Sequence, residues 1–294
     1  MDINHINFEN KFKFIDGVYV LDKDDDYADN FGKQWKSYLF TQIDSINKFK
    51  ISENFFKELC FNDLNIINKK EVLEIGSGAG RFTEIIINYA NSCTTVDLSS
   101  AIFFNVAKKN KKLSRIKANF INLVPKKKFD IVICRGVLQH TPNPYDYIIK
   151  LFDFIDSNGV VLFDIYPMPK LGFLHPKYLI WRPLLRHTFS YEVMERILKK
   201  NISKLLKIKR KIKKIFFNSD FLSDAILPIW DYKDKIDIFD EKLEKWAILD
   251  TLDGIYAKYD KPKSNRKITN FLKKNNKKII KNNKIKNYLM VTNY

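Results

Sequence analysis

The sequence predicts an α/β fold on a mostly parallel sheet, and three observations carry that expectation. Between residues 70 and 165, short apolar runs alternate with amphipathic segments. The turns between them are short, as right-handed strand–helix–strand crossovers require. A glycine-rich turn, Gly76-Ser77-Gly78-Ala79-Gly80, stands at the first strand-to-helix junction.

The elements follow in order. Residues 6–23 alternate weakly around Asp16-Gly17, a hairpin signal. An acidic run at 22–26 leads into Phe31-Gly32-Lys33-Gln34-Trp35, which opens a helical stretch reaching residue 50, and a second helical piece covers 53–61. Val72-Leu73-Glu74-Ile75 reads as a buried strand, and 81–89 as a helix with Phe82, Ile85, Ile86 and Tyr89 on one side. Strand 93–98, helix 101–109, strands 116–120 and 130–134, helix 144–155 and strand 159–165 come next. After Pro167 the rhythm breaks: 168–260 is aromatic, basic and helix-forming, with prolines at 169, 176, 183 and 228. Helix 264–274 and strands 278–280 and 288–291 close the chain, the strands pairing as an antiparallel hairpin at the sheet edge. The expected domains are an N-terminal hairpin and helical extension (1–62), a core (63–167), a helical insertion or substrate lid (168–260), and a segment completing the core (261–294).

The 294 residues are 45% hydrophobic and 14% aromatic, ample for a real core. The net charge of +18 comes mostly from lysine, whereas bidentate recognition of phosphates or bases favours arginine. A solvated lysine surface is therefore favoured over nucleic acid, which stays open. No apolar stretch approaches the roughly 20 residues of a membrane span. The N-terminus lacks a basic start followed by an apolar block, so no signal peptide is expected. Cys60, Cys93 and Cys134 are far apart and form no CxxC pair, which implies neither disulfides nor zinc. A soluble cytoplasmic protein is expected.

Glycines at a strand–helix junction permit a tight turn, let a ligand approach the backbone, and expose helix N–H donors. The spacing here is GxGxG; a dinucleotide fingerprint would place its third glycine at Arg81, which disfavours a nicotinamide cofactor. About twenty residues on, Asp97 ends the next strand, where a carboxylate accepts hydrogen bonds from the ribose hydroxyls of a nucleoside. The plainer alternative is a generic turn with a surface aspartate.

Residues 72–83, 95–99 and 129–144 (FDIVICRGVLQHTPNP) together resemble class I S-adenosylmethionine-dependent methyltransferases, in the broad group related to ubiquinone and menaquinone biosynthesis. Residues 30–35 and 246–253 resemble segments of a bacterial branch of that group. The resemblance implies a Rossmann-like seven-stranded sheet with helices on both faces, and S-adenosylmethionine as cofactor. It also implies roles by position. Glu74 would hold the loop and the amino end of the cofactor, with Gly76, Ser77, Gly78 and Gly80 beneath its amino-acid part. Asp97 would bind the ribose and Leu98 the adenine. Asn119, beside Phe120, stands where relatives usually carry a carboxylate for the adenine amino group; an amide can still accept that bond. Arg135 and Gly136 would lie beside the sulfonium. The cysteine-bearing zinc segment of some relatives is missing, so no metal is implied.

Methyl transfer from a sulfonium is an in-line displacement governed by positioning, and a hydroxyl acceptor also needs its proton removed. His140, just beyond strand 130–134, is the first candidate for that base or for substrate contact; it equally suits a cap on the turn before Pro142. Asp164 and Tyr166 end the fifth core strand beside the same crevice, where Asp164 is the second catalytic candidate, though it also reads as a solvated strand end. Asp250, Asp253, Tyr256 and Tyr259 recur at three-residue steps, either as a lid stripe for a hydroxylated acceptor or as an ordinary polar face. His175, Arg182, Arg186 and His187 suit a phosphate or are scattered charges. The stretch Lys204 to Lys214 interleaves cations with Leu205, Leu206, Ile208 and Ile212, which allows peripheral membrane contact or only a solvated face. The leading reading is transfer of a methyl group to an oxygen or nitrogen of a small metabolite or surface-glycan precursor. Its alternatives are an RNA methyltransferase and a non-catalytic protein that binds S-adenosylmethionine or a partner. Oligomeric state does not follow from the sequence.

Overall fold

The computed structural model describes residues 7–21, 38, 41–169, 171–233 and 240–294. The Phe31-to-Trp35 segment and the acidic run at 22–26 lie outside the described residues. In chain order the elements are β1 (Lys13–Ile15), β2 (Val18–Val20), α1 (Asp44–Asn47), α2 (Ile51–Leu59), β3 (Glu71–Ile75), α3 (Thr83–Tyr89), β4 (Ser92–Asp97), β5 (Leu113–Lys117), β6 (Phe129–Cys134), α4 (Pro144–Leu151) and β7 (Ile155–Asp164). Past Pro167 come α5 (Arg182–Thr188), α6 (Tyr191–Ile215), α7 (Asp220–Ile226) and α8 (Asp240–Tyr256), then α9 (Asn265–Lys274), β8 (Lys277–Asn283) and β9 (Tyr288–Asn293). Met1–Pro167 with Tyr259–Tyr294 forms one compact unit, and Met168–Lys258 another.

The first unit is built on a sheet of order β1-β2-β5-β4-β3-β6-β7-β9-β8. Strands β2 to β7 pair in parallel, and β9 runs antiparallel between β7 and β8. The mostly parallel α/β architecture is as expected, but among the described residues the sheet has nine strands where seven were expected. The extra two are the N-terminal hairpin, which covers the β5 edge through Tyr19↔Ile116 and Val20↔Lys117. Val18 is fully buried there, and Arg115 of β5 donates to the Gly17 carbonyl at 3.1 Å. A bare parallel edge would leave a row of unpaired backbone groups, and the hairpin removes it.

Both faces of the sheet are covered, which is why its strands read as nearly continuous apolar runs. Leu73, Ile75, Val132 and Cys134 pack on one side with Leu151, Phe163 and Leu272. Val72, Ile131 and Ile133 point the other way, toward Phe56, Leu59 and Ile86. The period of two along β3 and β6 thus sorts neighbouring residues into two cores.

The strand expected over 116–120 lies at Leu113–Lys117, and two helices differ further from expectation. The helix expected over 101–109 is a 3-10 turn, Ser100–Phe104, followed by irregular chain. The Asn105 amide donates to the Thr83 hydroxyl at 3.1 Å and its Oδ1 accepts from Ala107 N at 3.0 Å, while Val106 N bonds Ala79 O at 2.9 Å. These bonds fasten the chain to the glycine turn and replace a helical ladder. The helix expected over 144–155 stops at Leu151, because buried Phe154 and Ile155 join the sheet beside Phe129. The Phe129 amide bonds the Phe154 carbonyl at 2.8 Å.

The second unit is helical. Along α6, Met194, Leu198, Ile202 and Leu206 are buried at four-residue steps and pack with α8. Arg182 is buried, not presented to a phosphate. Its guanidinium donates to Gly254 O at 3.1 Å and Ala257 O at 2.6 Å, closing the carbonyls left open where α8 ends. Asp250 accepts from the Tyr232 hydroxyl and from Trp246 Nε1, and the Tyr256 hydroxyl donates to Phe189 O at 2.9 Å. These stripe residues therefore brace their own unit, and Tyr259 lies beyond the helix end. Among the described residues no helix is long and apolar enough to cross a membrane.

Candidate active site

The chain reverses direction across the sheet between β3 and β6, and open α/β sheets bind ligands beyond the strand ends at such a point. Ile75 pairs with Cys134, so the glycine turn and the segment from Arg135 to His140 leave the sheet side by side. Gly76 has φ +78°, and an added Cβ would lie 2.0 Å from Val137 Cγ2. Gly80 has φ +95°, and its Cβ would lie 2.4 Å from Asn105 Oδ1. Both positions require glycine, for backbone conformation and for space. An added Cβ on Gly136 would meet nothing within 4 Å, so this backbone borders open space.

Asp97, at the end of β4, accepts from Gly78 N at 2.6 Å, from Ser99 N at 2.8 Å and from the Ser99 hydroxyl at 2.6 Å. Burial raises its carboxyl above the usual range, opposed by the Ser99 and Gly78 bonds. Glu74 is buried and accepts from the Thr83 hydroxyl at 2.5 Å. Burial lifts its carboxyl to about 8; the Thr83 bond opposes this and the Asp97 charge adds to it. The Ser77 hydroxyl oxygen is buried with no hydrogen-bond partner among the described residues.

Arg135 leaves β6 into an aromatic enclosure. Its guanidinium carbon lies 5.3, 4.9 and 5.3 Å from the ring centres of Phe55, Phe82 and Tyr288. Nη2 donates to the Tyr288 hydroxyl at 3.0 Å, Nε lies 3.8 Å from Asp164 Oδ2, and Nη1 is buried with no hydrogen-bond partner among the described residues. Asp164 Oδ1 accepts from Gly136 N at 2.6 Å. Burial raises the Asp164 carboxyl, opposed by the Arg135 charge and the Gly136 N–H.

His140 is buried in the 3-10 turn that follows, with Nδ1 2.9 Å from the Tyr259 carbonyl oxygen and the Tyr166 ring edge-on at 5.6 Å. A carbonyl can only accept, so Nδ1 carries a proton and donates it to this bond, and in the neutral ring the lone pair falls to Nε2. Asn119 caps a 3-10 turn through Ile121 N and donates to the Tyr147 hydroxyl at 3.0 Å. Phe120 is buried against Tyr147, and Leu98 is half-buried beside Asp97.

Two groupings emerge from the sequence candidates: Glu74, Ser77, Gly78 and Asp97 around the glycine turn, and Arg135, Gly136 and Asp164 beyond β6 and β7. Sequence reasoning missed Phe55, Phe82, Val137 and Tyr288 as neighbours of these groupings, and the bracing bonds of Arg81. Arg81 donates to the Ser52 hydroxyl at 2.9 Å and to Gln42 Oε1 at 2.8 Å, tying the glycine turn to the start of α2. The aromatic residues carried no signal, since on a helix face or strand they look like core.

A crossover sheet with a glycine turn, an acid closing the next strand and an open rim defines a nucleoside-binding α/β enzyme. Residues 51–204, just over half of the chain, match the methyltransferase-domain family. The chain is 27% identical over 163 residues to a ubiquinone biosynthesis O-methyltransferase of Rickettsia canadensis, covering 51% of this chain and 67% of that one. It is 31% identical over 112 residues to the mitochondrial enzyme of that name from Schizosaccharomyces pombe, covering 35% and 40%. Among solved structures it is similar to PKMT2 of Rickettsia typhi in complex with AdoHcy (16% identity, TM-score 0.47, 75% of this chain and 41% of that one). It is also similar to the N-methyltransferase NodS of Bradyrhizobium japonicum (18%, TM-score 0.36, 40% and 62%). The chain thus spans about two thirds or less of these proteins. The chain belongs to the methyltransferase-domain family and is a class I, S-adenosylmethionine-dependent methyltransferase.

Proposed function

We propose that this methyltransferase acts on a hydroxyl oxygen of a small acceptor, with His140 as the base. The observation that carries the reading is the Nδ1 contact to the Tyr259 carbonyl, which leaves the proton-accepting lone pair on Nε2. The O-methyltransferase names of the curated relatives support oxygen over nitrogen. A surface-glycan precursor remains the proposed acceptor class beside other small metabolites.

The residues present fit the cofactor. Ser77 Oγ and Arg135 Nη1 are buried polar groups without partners among the described residues, suited to the carboxylate of an amino acid. In this reading the turn from Gly76 to Gly80, with Glu74 beneath it, holds the amino-acid part. Asp97 takes the ribose, and Leu98, Asn119 and Phe120 flank the adenine. A carboxylate has about four acceptor sites, and Asp97 already fills three, so a grip on both ribose hydroxyls requires the Ser99 hydroxyl to turn away. When bound, the cofactor supplies an electrophilic methyl group on sulfur. Asp164 is a positioning residue, since one oxygen holds Gly136 N and the other faces Arg135. His140 Nε2 takes the acceptor proton as the oxygen becomes nucleophilic.

The test is turnover of a panel of phenols, catechols and sugars by wild-type and His140→Gln protein, with cofactor binding measured alongside. The expected result is a fall of about 10²- to 10⁴-fold in kcat for the variant, with cofactor affinity unchanged. Turnover at the wild-type rate would remove His140 from the chemistry; wild-type cofactor binding with no methylation of any hydroxyl would refute the acceptor class.

A further inference from the structure

The long helix α6 carries a surface that the methyl-transfer reading does not use. Residues 196–219 contain ten Lys or Arg and no Asp or Glu. Three of these cations turn inward onto acids: Lys209 to Asp224, Arg210 to Asp231, and Lys213 to Asp220 at 2.8 Å. Arg196, Lys200, Lys204, Lys207, Lys211 and Lys214 face solvent. None of these six side chains has an ion pair or hydrogen bond with any described residue. They recur at three- and four-residue steps, so they stand on one side of the helix over about 27 Å.

Apolar side chains interrupt the same side. Ile208 follows Lys204 by four residues and Ile215 follows Lys211 by four, so each lies on the lysine stripe. Ile208 is 39% exposed and Ile215 70% exposed, and Phe217, just past the helix end, is 98% exposed. Exposed apolar groups set among unpaired lysines cost solvation in water but are suited to the boundary between lipid headgroups and acyl chains. A duplex or folded nucleic acid would meet the charge but offer the two isoleucines nothing to cover them. Single-strand binding surfaces rely on several exposed aromatic stacking platforms, and among the described residues of this face only Phe217 is an exposed aromatic.

We propose that this face of α6 docks on an anionic phospholipid bilayer. The six free cations lie against the headgroups, and Ile208, Ile215 and Phe217 enter the boundary region. The inward face, from Met194 to Lys209, stays packed within the unit. The pairing of positive stripe and negative surface supplies most of the attraction, and the apolar side chains make it persist when salt screens the charge.

The experiment is co-sedimentation of the full chain with vesicles of phosphatidylcholine alone and with vesicles containing one third phosphatidylglycerol, at several salt concentrations. The expected result is binding to the anionic vesicles only, weakened about fivefold for each lysine neutralised. Lys204→Gln with Lys207→Gln and Lys211→Gln should together lose more than about a hundredfold. These side chains face solvent, so the variants should keep the wild-type circular dichroism. Phe217→Ser with Ile215→Ser should retain binding at low salt and lose it at high salt. Absence of binding to anionic vesicles, equal binding to neutral ones, or unaltered binding by the triple lysine variant would overturn the proposal. Preferential capture of a single-stranded RNA oligonucleotide over anionic vesicles at equal salt would also overturn it, assigning the stripe to nucleic acid.

Discussion

The carboxylate of Asp97 accepts a 2.6 Å hydrogen bond from the backbone N–H of Gly78, so the acid closing β4 holds the tip of the turn that follows β3. One side chain thus shapes the glycine turn and presents an acceptor to the space beside it. Asp97→Ala removes both effects. We predict weaker S-adenosylhomocysteine binding by about tenfold or more, the scale of one or two charge-assisted hydrogen bonds. Calorimetry on protein with a native circular dichroism spectrum checks it, and unchanged affinity would exclude Asp97 from the cofactor site.

Gly76 and Val137 form a steric pair across adjacent strand ends. Gly76→Ala should destabilise the fold by about 2–4 kcal/mol, combining overpacking with a left-handed backbone worth roughly 1–2 kcal/mol. Adding Val137→Ala should recover the overpacking part and leave the backbone part. Urea midpoints of the single and double variants read this directly; no recovery in the double variant would mean that Val137 is not the obstacle.

Glu74 gives a pH signature. Folded, it holds its proton up to about 8; unfolded, it releases it near its ordinary 4.5. Between those values the folded state binds a proton that the unfolded state lacks. Stability therefore falls as pH rises, by about 1.4 kcal/mol per unit, and levels off above the folded value. Glu74→Gln, whose amide oxygen still accepts from Thr83, should remove that slope. Its stability relative to wild type should grow from pH 5 to pH 8, and a constant difference would refute burial as the cause.

Arg135 and Asp164 should act together. Arg135→Ala leaves a buried carboxylate without its cation, a loss of about 3 kcal/mol or more. The same change lets burial raise the Asp164 carboxyl further, because the Arg135 charge opposes that rise. The acidic limb of the pH–rate profile should then move to higher pH. Asp164→Asn in the Arg135→Ala background should abolish that displacement; its persistence would point to another titrating group.

In the second unit, Arg182→Ala should open the carbonyls of Gly254 and Ala257 and fray the end of α8. Hydrogen exchange at residues 250–257 should speed up while the β3–β7 sheet is unaffected. Protection equal to wild type would mean that the guanidinium does not close the helix.

The alternating apolar runs between residues 70 and 165, the glycine turn and Asp97 determine by themselves the crossover sheet and the strand-end rim at which the cofactor is proposed to bind. Local grammar suffices there, because a parallel strand buried on both faces is mostly apolar, and a left-handed turn with no room for a Cβ, as at Gly76 and Gly80, requires glycine. The closing hairpin was legible from its two short apolar runs at 278–280 and 288–291. Tertiary structure decided what depends on partners distant in sequence. The N-terminal hairpin joined the sheet because β5 offered a bare edge, and residues 101–109 gave up a helix because Asn105 found Thr83 and the glycine turn. Tyr288 reached Arg135 only through the antiparallel pairing of β9 with β7, which sets it across from Asp164. The same limit explains Arg182 and the Asp250–Tyr256 stripe. A sequence shows that a side chain can donate or accept, but only the packed chain shows whether the backbone of its own unit has already met that capacity.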